Sequence, residues 1–207
     1  MKNPNFKNAQ VLVIALPNEE IRVDNPDIIS YISGRSRARN ECAMKSEAGY
    51  LLFFDADTKP VPPFFDVARW LIENNLAFCI EGNNRVFCSR VFGIPRTVFL
   101  KVGGLDETFE IGEDIEFGLR LKSFQIPFFM IPNWMVSHNE HARRYDPIKA
   151  YVVRSRLIAR YKLFKWLLPI RKLDLIAFPL LFLLTLHFFL RKDKRSNAKP
   201  KRTSSCL

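Results

Sequence analysis

The feature that most constrains this chain is a continuous apolar run, Tyr50-Leu51-Leu52-Phe53-Phe54, that ends abruptly at Asp55-Ala56-Asp57. An unbroken run of this kind reads as a strand buried on both faces, because a half-exposed strand would alternate with polar residues. Such a strand needs helices over its sheet, which sets the fold class as α/β. The flanking pattern agrees. Residues 10–16, QVLVIAL, predict a strand closed by Pro17-Asn18, and Ile28 to Ser33 a second one ended by Gly34. Ser36 to Ala48 predicts a helix with Ser36 as N-cap and Gly49 at its stop. Phe65, Ala68, Leu71 and Ile72 stand at helical spacing within 62–74. Ala77 to Ile80 and Arg85 to Phe92 predict strands, Gly93-Ile94-Pro95-Arg96 a turn, and Val98 to Val102 a short helix. Glu113 to Phe124 predicts a helix with Ile115 and Leu119 inward, joined by Phe117 and Leu121, and Ile126 to Val136 a last extended stretch. Strands alternating with helices predict a mostly parallel sheet flanked by helices.

The 207 residues suit one domain with an appendage. Ordinary glycine and proline content with 13% aromatics excludes a collagen-like or wholly disordered chain. Cys42, Cys79, Cys88 and Cys206 form no CxxC pair, so they read as reduced thiols of a cytoplasmic compartment. The opening MKNPNFKNAQ has no long apolar stretch and predicts no export signal.

The net charge of +11 is unevenly distributed. Residues 1–142 hold 15 Lys+Arg against 18 Asp+Glu, giving −3; residues 143–207 hold 17 against 3, giving +14. The whole basic excess lies in the last third, which points to an anionic partner. Its apolar content selects lipid. Residues 146–172 form a basic amphipathic segment, in which Val152, Leu157, Ile158 and Phe164 alternate with Arg154, Arg156 and Arg160. Residues 173–190 then form an apolar helix and 191–207 a basic disordered tail. The charge-free stretch Leu175 to Leu190 covers ~24 Å as a helix, short of a ~30 Å hydrocarbon core, so a minimal span and an in-plane segment both fit. A buried core helix is the plainer alternative. No zinc-finger, RNP or helix-turn-helix pattern supports a nucleic-acid partner, and none is expected.

Asp55 and Asp57 stand at the carboxyl end of the buried strand, where open α/β sheets bind ligands. Two carboxylates at this spacing can share a hard divalent cation with substrate phosphates. A DxD tripeptide alone is also a common turn, and its position carries the functional reading. Glu113 and Asp114 at a helix start either complement the dipole or supply a general base. His138 reads as structural or as a ligand, and Arg35, Arg37 and Arg39 as a phosphate site or a solvated helix face.

Taken in order, these motifs resemble a known family. Arg39-Asn40, Ala48-Gly49-Tyr50 through Asp57, Val102-Gly103-Gly104-Leu105-Asp106-Glu107, Gly112-Glu113-Asp114 and Val136-Ser137-His138 form a series similar to the family 2 glycosyltransferases, inverting enzymes of the Rossmann-like GT-A fold. The resemblance runs over residues 35–140, and VGGxDE with ED is more specific than DxD. It implies that Asp57, helped by Asp55, holds Mg²⁺ or Mn²⁺ against the diphosphate of a nucleotide-sugar donor. It implies that Asp114 takes the acceptor proton, that Glu113 orients the site or acceptor, and that His138 stands where some members add a metal ligand. It further implies that Gly103 and Gly104 let backbone approach the sugar or acceptor, and that Arg39 and Asn40 lie beside the donor.

The family's usual front end, a strand, a helix and a second strand with an acidic nucleotide-contacting loop, is shortened here, with Asp24 or Asp27 as substitutes. The resulting expectation is a glycosyltransferase at the cytoplasmic face of the cell membrane, monotopic or with one short transmembrane helix. It passes a sugar to a lipid-linked or glycan acceptor on an anionic membrane surface. The alternative is an inactive or partner-dependent nucleotide-sugar-binding protein.

Overall fold

The apolar alternation along each strand decides which side of the sheet it feeds. In the computed structural model, which describes residues 10, 12–15, 28–31, 34–82, 87–109, 111–138, 147–162 and 172–191, the chain divides into two compact units, Met1–His141 and Ala142–Leu207. In the first unit the order is β1 (Leu12–Ala15), β2 (Ile28–Tyr31), α1 (Arg35–Lys45), β3 (Tyr50–Phe54), β4 (Thr58–Pro60), α2 (Pro62–Glu73), β5 (Ala77–Glu81), β6 (Phe87–Pro95), α3 (Arg96–Lys101), α4 (Glu113–Ser123), β7 (Phe128–Ile131) and β8 (Val136–His138). The main sheet runs β3-β6-β5-β7. A parallel two-stranded sheet, β1-β2, and an antiparallel ribbon, β4-β8, complete the strands.

Leu51 and Phe53 of β3, Ala77 and Cys79 of β5, and Phe92 and Ile94 of β6 face one core with Ala43 of α1, Phe99 of α3, and Phe117 and Leu121 of α4. Phe78, Ile80 and Val91 face the other, with Phe64, Ala68 and Leu71 of α2. The sheet is therefore a middle layer between helices, as α/β predicts. The first core is an aromatic stack. Phe53 lies on Phe92 at 4.4 Å between ring centroids, and Phe117 meets Phe87 at 5.4 Å and Phe99 at 5.6 Å. Such pairs add ~0.5–1.5 kcal/mol each beyond area burial.

Four sequence expectations need correction. The main sheet is mixed, not mostly parallel: β6 runs antiparallel to both β3 and β5, and only β5-β7 is parallel. The reason is the short link from Glu81 to Phe87, which suits a hairpin but is too short for a parallel crossover. The expected turn at Gly93-Ile94-Pro95 is the end of β6. Gly93 marks a close approach there, since a Cβ would lie 2.4 Å from the Phe78 ring. Helix α1 starts at Arg35 behind Gly34, with Ser36 buried inside it instead of capping it. In α4, Phe117 and Leu121 are buried with Glu113 and Glu116, while Ile115 and Leu119 are only partly covered.

The second unit contains α5 (Pro147–Tyr161) and α6 (Lys172–Leu190), which pack on each other. Leu157 and Ile158 of α5 and Leu181 of α6 are buried, with Ser155 and Thr185. Both hydroxyls bond back to their own helix: Ser155 Oγ donates to Tyr151 O at 2.8 Å, and Thr185 Oγ1 to Leu181 O at 2.7 Å. Among the described residues no helix is long and apolar enough to cross a membrane. Asp24, Asp27, Cys206, the stretch 163–171 and the tail beyond Arg191 lie outside the described residues.

Candidate active site

The site is built where β3 ends. The Asp55 N–H donates to Arg90 O at 2.8 Å, which seats this residue against β6. Thr58 closes the turn, its N–H and hydroxyl both donating to Asp55 O at 3.1 and 2.5 Å. Asp55 and Asp57 thereby sit together at the carboxyl end of β3. This is an edge strand with Leu51 and Phe53 buried and Phe54 exposed, not the strand buried on both faces that the apolar run predicts. β8 pairs His138 with Thr58, so residues far apart in sequence meet one position beyond Asp57. The His138 side chain lies outside the described residues.

Arg39 joins this strand end to helix α4. Its Nη2 donates to Asp55 Oδ1 at 2.5 Å, and its Nη1 lies 3.7 Å from Glu113 Oε1. Arg35, one helical turn earlier on the same face, reaches the same Glu113 oxygen at 3.6 Å. Arg39 is buried, and its Nη1 makes no hydrogen bond among the described residues. Arg35 and Arg39 thus form an ion-pair network with the two acidic motifs, while Arg37 is exposed.

Glu113 and Asp114 occupy the first turn of α4, after Gly112 in the left-handed region at φ 74°. Glu113 is 2% exposed, and burial pushes its carboxyl above the ordinary range against the lowering pull of Arg35. Burial likewise raises Asp114, opposed by the Ile115 N–H that donates to its Oδ1 at 2.8 Å. Cys88 on β6 has its thiol raised chiefly by burial, and the charges of Asp114 and Asp55 both push it further. Burial also raises the Cys42 and Cys79 thiols, to about 11 and about 12, so they stay protonated and inert.

Asn40 binds the loop that follows α3. Its Nδ2 donates to Leu105 O and to Glu107 Oε1, both at 2.9 Å, and its Oδ1 accepts the Leu105 N–H at 2.7 Å. Gly104, at φ +66°, is the counterpart: a Cβ there would fall 2.5 Å from Asn40 Oδ1. Gly104 thus packs closely on Asn40, while Gly103 is exposed at φ +88°. One helix holds both motifs: Arg39 ties the carboxylates, and Asn40 clamps the 103–107 loop.

Sequence reasoning missed Glu116 and Arg120. Arg120 Nη2 binds Glu116 Oε2 at 2.7 Å, its Nη1 donates to Val102 O at 2.9 Å, and it lies over the Phe117 ring. The pair fixes α4 to the loop after α3, and its i,i+4 Glu-to-Arg spacing was the available signal.

A divalent cation can be tested against this donor set. Asp55 and Asp57 offer hard oxygen ligands, the chemistry that Mg²⁺ and Mn²⁺ take when substrate phosphates complete the shell. Among the described residues no three His, Cys, Asp or Glu side chains converge on one point. The two carboxylates fit a cation shared with a phosphate-bearing substrate.

No protein-family model matches the sequence, and no curated protein matches it. Among solved structures the chain is similar to the mannosyltransferase PcManGT from Pyrobaculum calidifontis, in complex with GDP-Man and Mn²⁺. The identity is 12% and the TM-score 0.48, over 78% of this chain and 51% of that one, so the chain spans about half that protein's length.

Proposed function

We propose that this chain is an inverting glycosyltransferase that moves a sugar from a nucleotide-sugar donor to a hydroxyl of a lipid-linked or glycan acceptor, with Mg²⁺ or Mn²⁺ as cofactor. The observation that carries the reading is the double reach of Arg39 to Asp55 and Glu113, which gathers the DxD and ED motifs at one sheet end. Asp114 is the base. It takes the proton of the acceptor hydroxyl as that oxygen attacks the anomeric carbon from the face opposite the diphosphate. The bond from that carbon to the diphosphate oxygen breaks, its electron pair leaves with the nucleoside diphosphate, and one displacement inverts the centre. Burial lifts the proton affinity of Asp114, which makes it a stronger base than an exposed carboxylate. Arg39 and Arg35 hold Glu113, and so the start of α4, in place. A cation held by Asp57 and Asp55 would supply the positive charge that neutralises the leaving diphosphate.

One observation favours a second reading, donor binding without turnover: Asp55 is already ion-paired to Arg39. A single experiment separates them. Purified protein is given Mn²⁺, a donor panel and acceptors, and nucleoside diphosphate release is measured beside donor binding. Release by wild type, reduced about 10²–10⁴-fold in Asp114→Asn with binding retained, is expected. The base works only deprotonated, so the rate falls on the acid side with a midpoint above the ordinary carboxylate range. Binding without release by wild type selects the second reading, and full release by Asp114→Asn removes Asp114 from the reaction.

A further inference from the structure

Helix α6 turns its apolar side chains away from its partner helix. Leu181 and Thr185 lie in the seam with α5, whereas Leu180, Leu183, Leu186 and Leu190 are 48%, 62%, 42% and 70% exposed. At ~100° per residue, Leu183, Leu186 and Leu190 form one stripe on the side opposite that seam. From Pro179 to Leu190 the only side chain that can carry charge is His187. A stripe of this width facing water is unfavourable and marks a contact surface.

Two observations choose its occupant. Residues 143–207 carry 17 Lys+Arg against 3 acids, so a partner that neutralises positive charge is required. A second copy would cover the leucines but would set one +14 segment against another. Leu181 and Thr185 are buried on the opposite side of α6, so only the outward stripe is open to lipid.

We propose that the α5–α6 pair docks flat on an anionic lipid bilayer. Leu183, Leu186 and Leu190 enter the upper acyl layer, and the flanking Arg191 lies at the phosphate level. This inference is independent of the sugar-transfer reading, because it needs no turnover.

The test uses the full chain with phosphatidylcholine vesicles, with and without phosphatidylserine, in a sedimentation assay. Wild type is expected to partition onto phosphatidylserine vesicles and to be released by salt. The triple variant Leu183→Glu/Leu186→Glu/Leu190→Glu is expected to lose partition by about tenfold or more. The single variant Leu183→Gln, which removes one exposed side chain, shows a smaller loss and guards against misfolding of the triple. In Leu186→Trp, fluorescence beyond the wild-type signal is quenched most by lipids brominated near the headgroup. Unchanged partition of both leucine variants overturns the proposal, as does strongest quenching from the bilayer centre. A vesicle-free dimer that the triple variant abolishes overturns it in favour of a second copy.

Discussion

The two units invert one another. In Met1–His141 the large apolar side chains are turned inward, with Phe64, Phe78, Phe92, Phe99 and Phe117 fully buried on the two sides of one sheet. Charges are buried there too, but in company: Arg39 with Asp55 and Glu113, and Arg120 with Glu116. In Ala142–Leu207 the seam between helices holds Leu181 with the hydroxyls of Ser155 and Thr185, and Leu180, Leu183, Leu186 and Leu190 of α6 face out. The first unit gains its stability from burying its own apolar surface. The second leaves much of that surface uncovered, so its hydrophobic gain awaits a contact outside itself.

The largest effect expected from this contrast is at the centre of the aromatic stack. Phe117 touches Phe87, Phe92 and Phe99, so Phe117→Ala removes a ring that three neighbours are shaped around. Urea unfolding of the full chain should show a loss of ~3–5 kcal/mol, because the space cannot collapse onto a fixed sheet. A loss below ~1 kcal/mol would mean that the core of the first unit is as loosely committed as the exterior of the second.

The same contrast explains what was legible in the sequence. The β3 strand and its acidic end could be read because five apolar residues in a row have few other uses. The helices α2 and α4 could be read from spacing, yet the inward face of α4 could not. Ile115, Phe117, Leu119 and Leu121 are all apolar, and only the position of Phe87 decides which of them pack. Gly93 and Pro95 carry the composition of a turn, and the Phe78 ring that makes Gly93 a strand residue belongs to a different strand. The site was half legible for the same reason. Residue types at Asp55, Asp57, Glu113 and Asp114 were visible, but Asn40 finds its partners 65 and 67 positions away, and no local pattern records that.

A middle-sized effect tests whether buried charge in the first unit depends on its company. Arg39→Met keeps much of the side-chain volume and removes the cation from Asp55 and Glu113. A loss of about 3 kcal/mol at neutral pH is expected, the lower end for breaking a buried pair, since Asp55 retains some exposure. The penalty comes from ionised carboxylates left without their counter-charge. Burial already raises Glu113, and removing Arg39 raises it further, so the variant's deficit should shrink as pH falls through the carboxylate range. Paired unfolding curves at neutral and acidic pH measure this, and a deficit independent of pH would assign Arg39 to packing alone.

The smallest effect is the most diagnostic for the second unit. Leu183 is 62% exposed, so Leu183→Ser removes apolar atoms that already face water. In vesicle-free buffer its unfolding midpoint should lie within about 0.5 kcal/mol of wild type, the range of surface substitutions. The same change made at a buried leucine such as Leu121, with 0% exposure, should cost several-fold more, because transfer and cavity terms both act there. Were Leu183→Ser to destabilise the lone protein as much as Leu121→Ser does, the outward face of α6 would be covered by the chain itself. The inversion between the two units would then be lost.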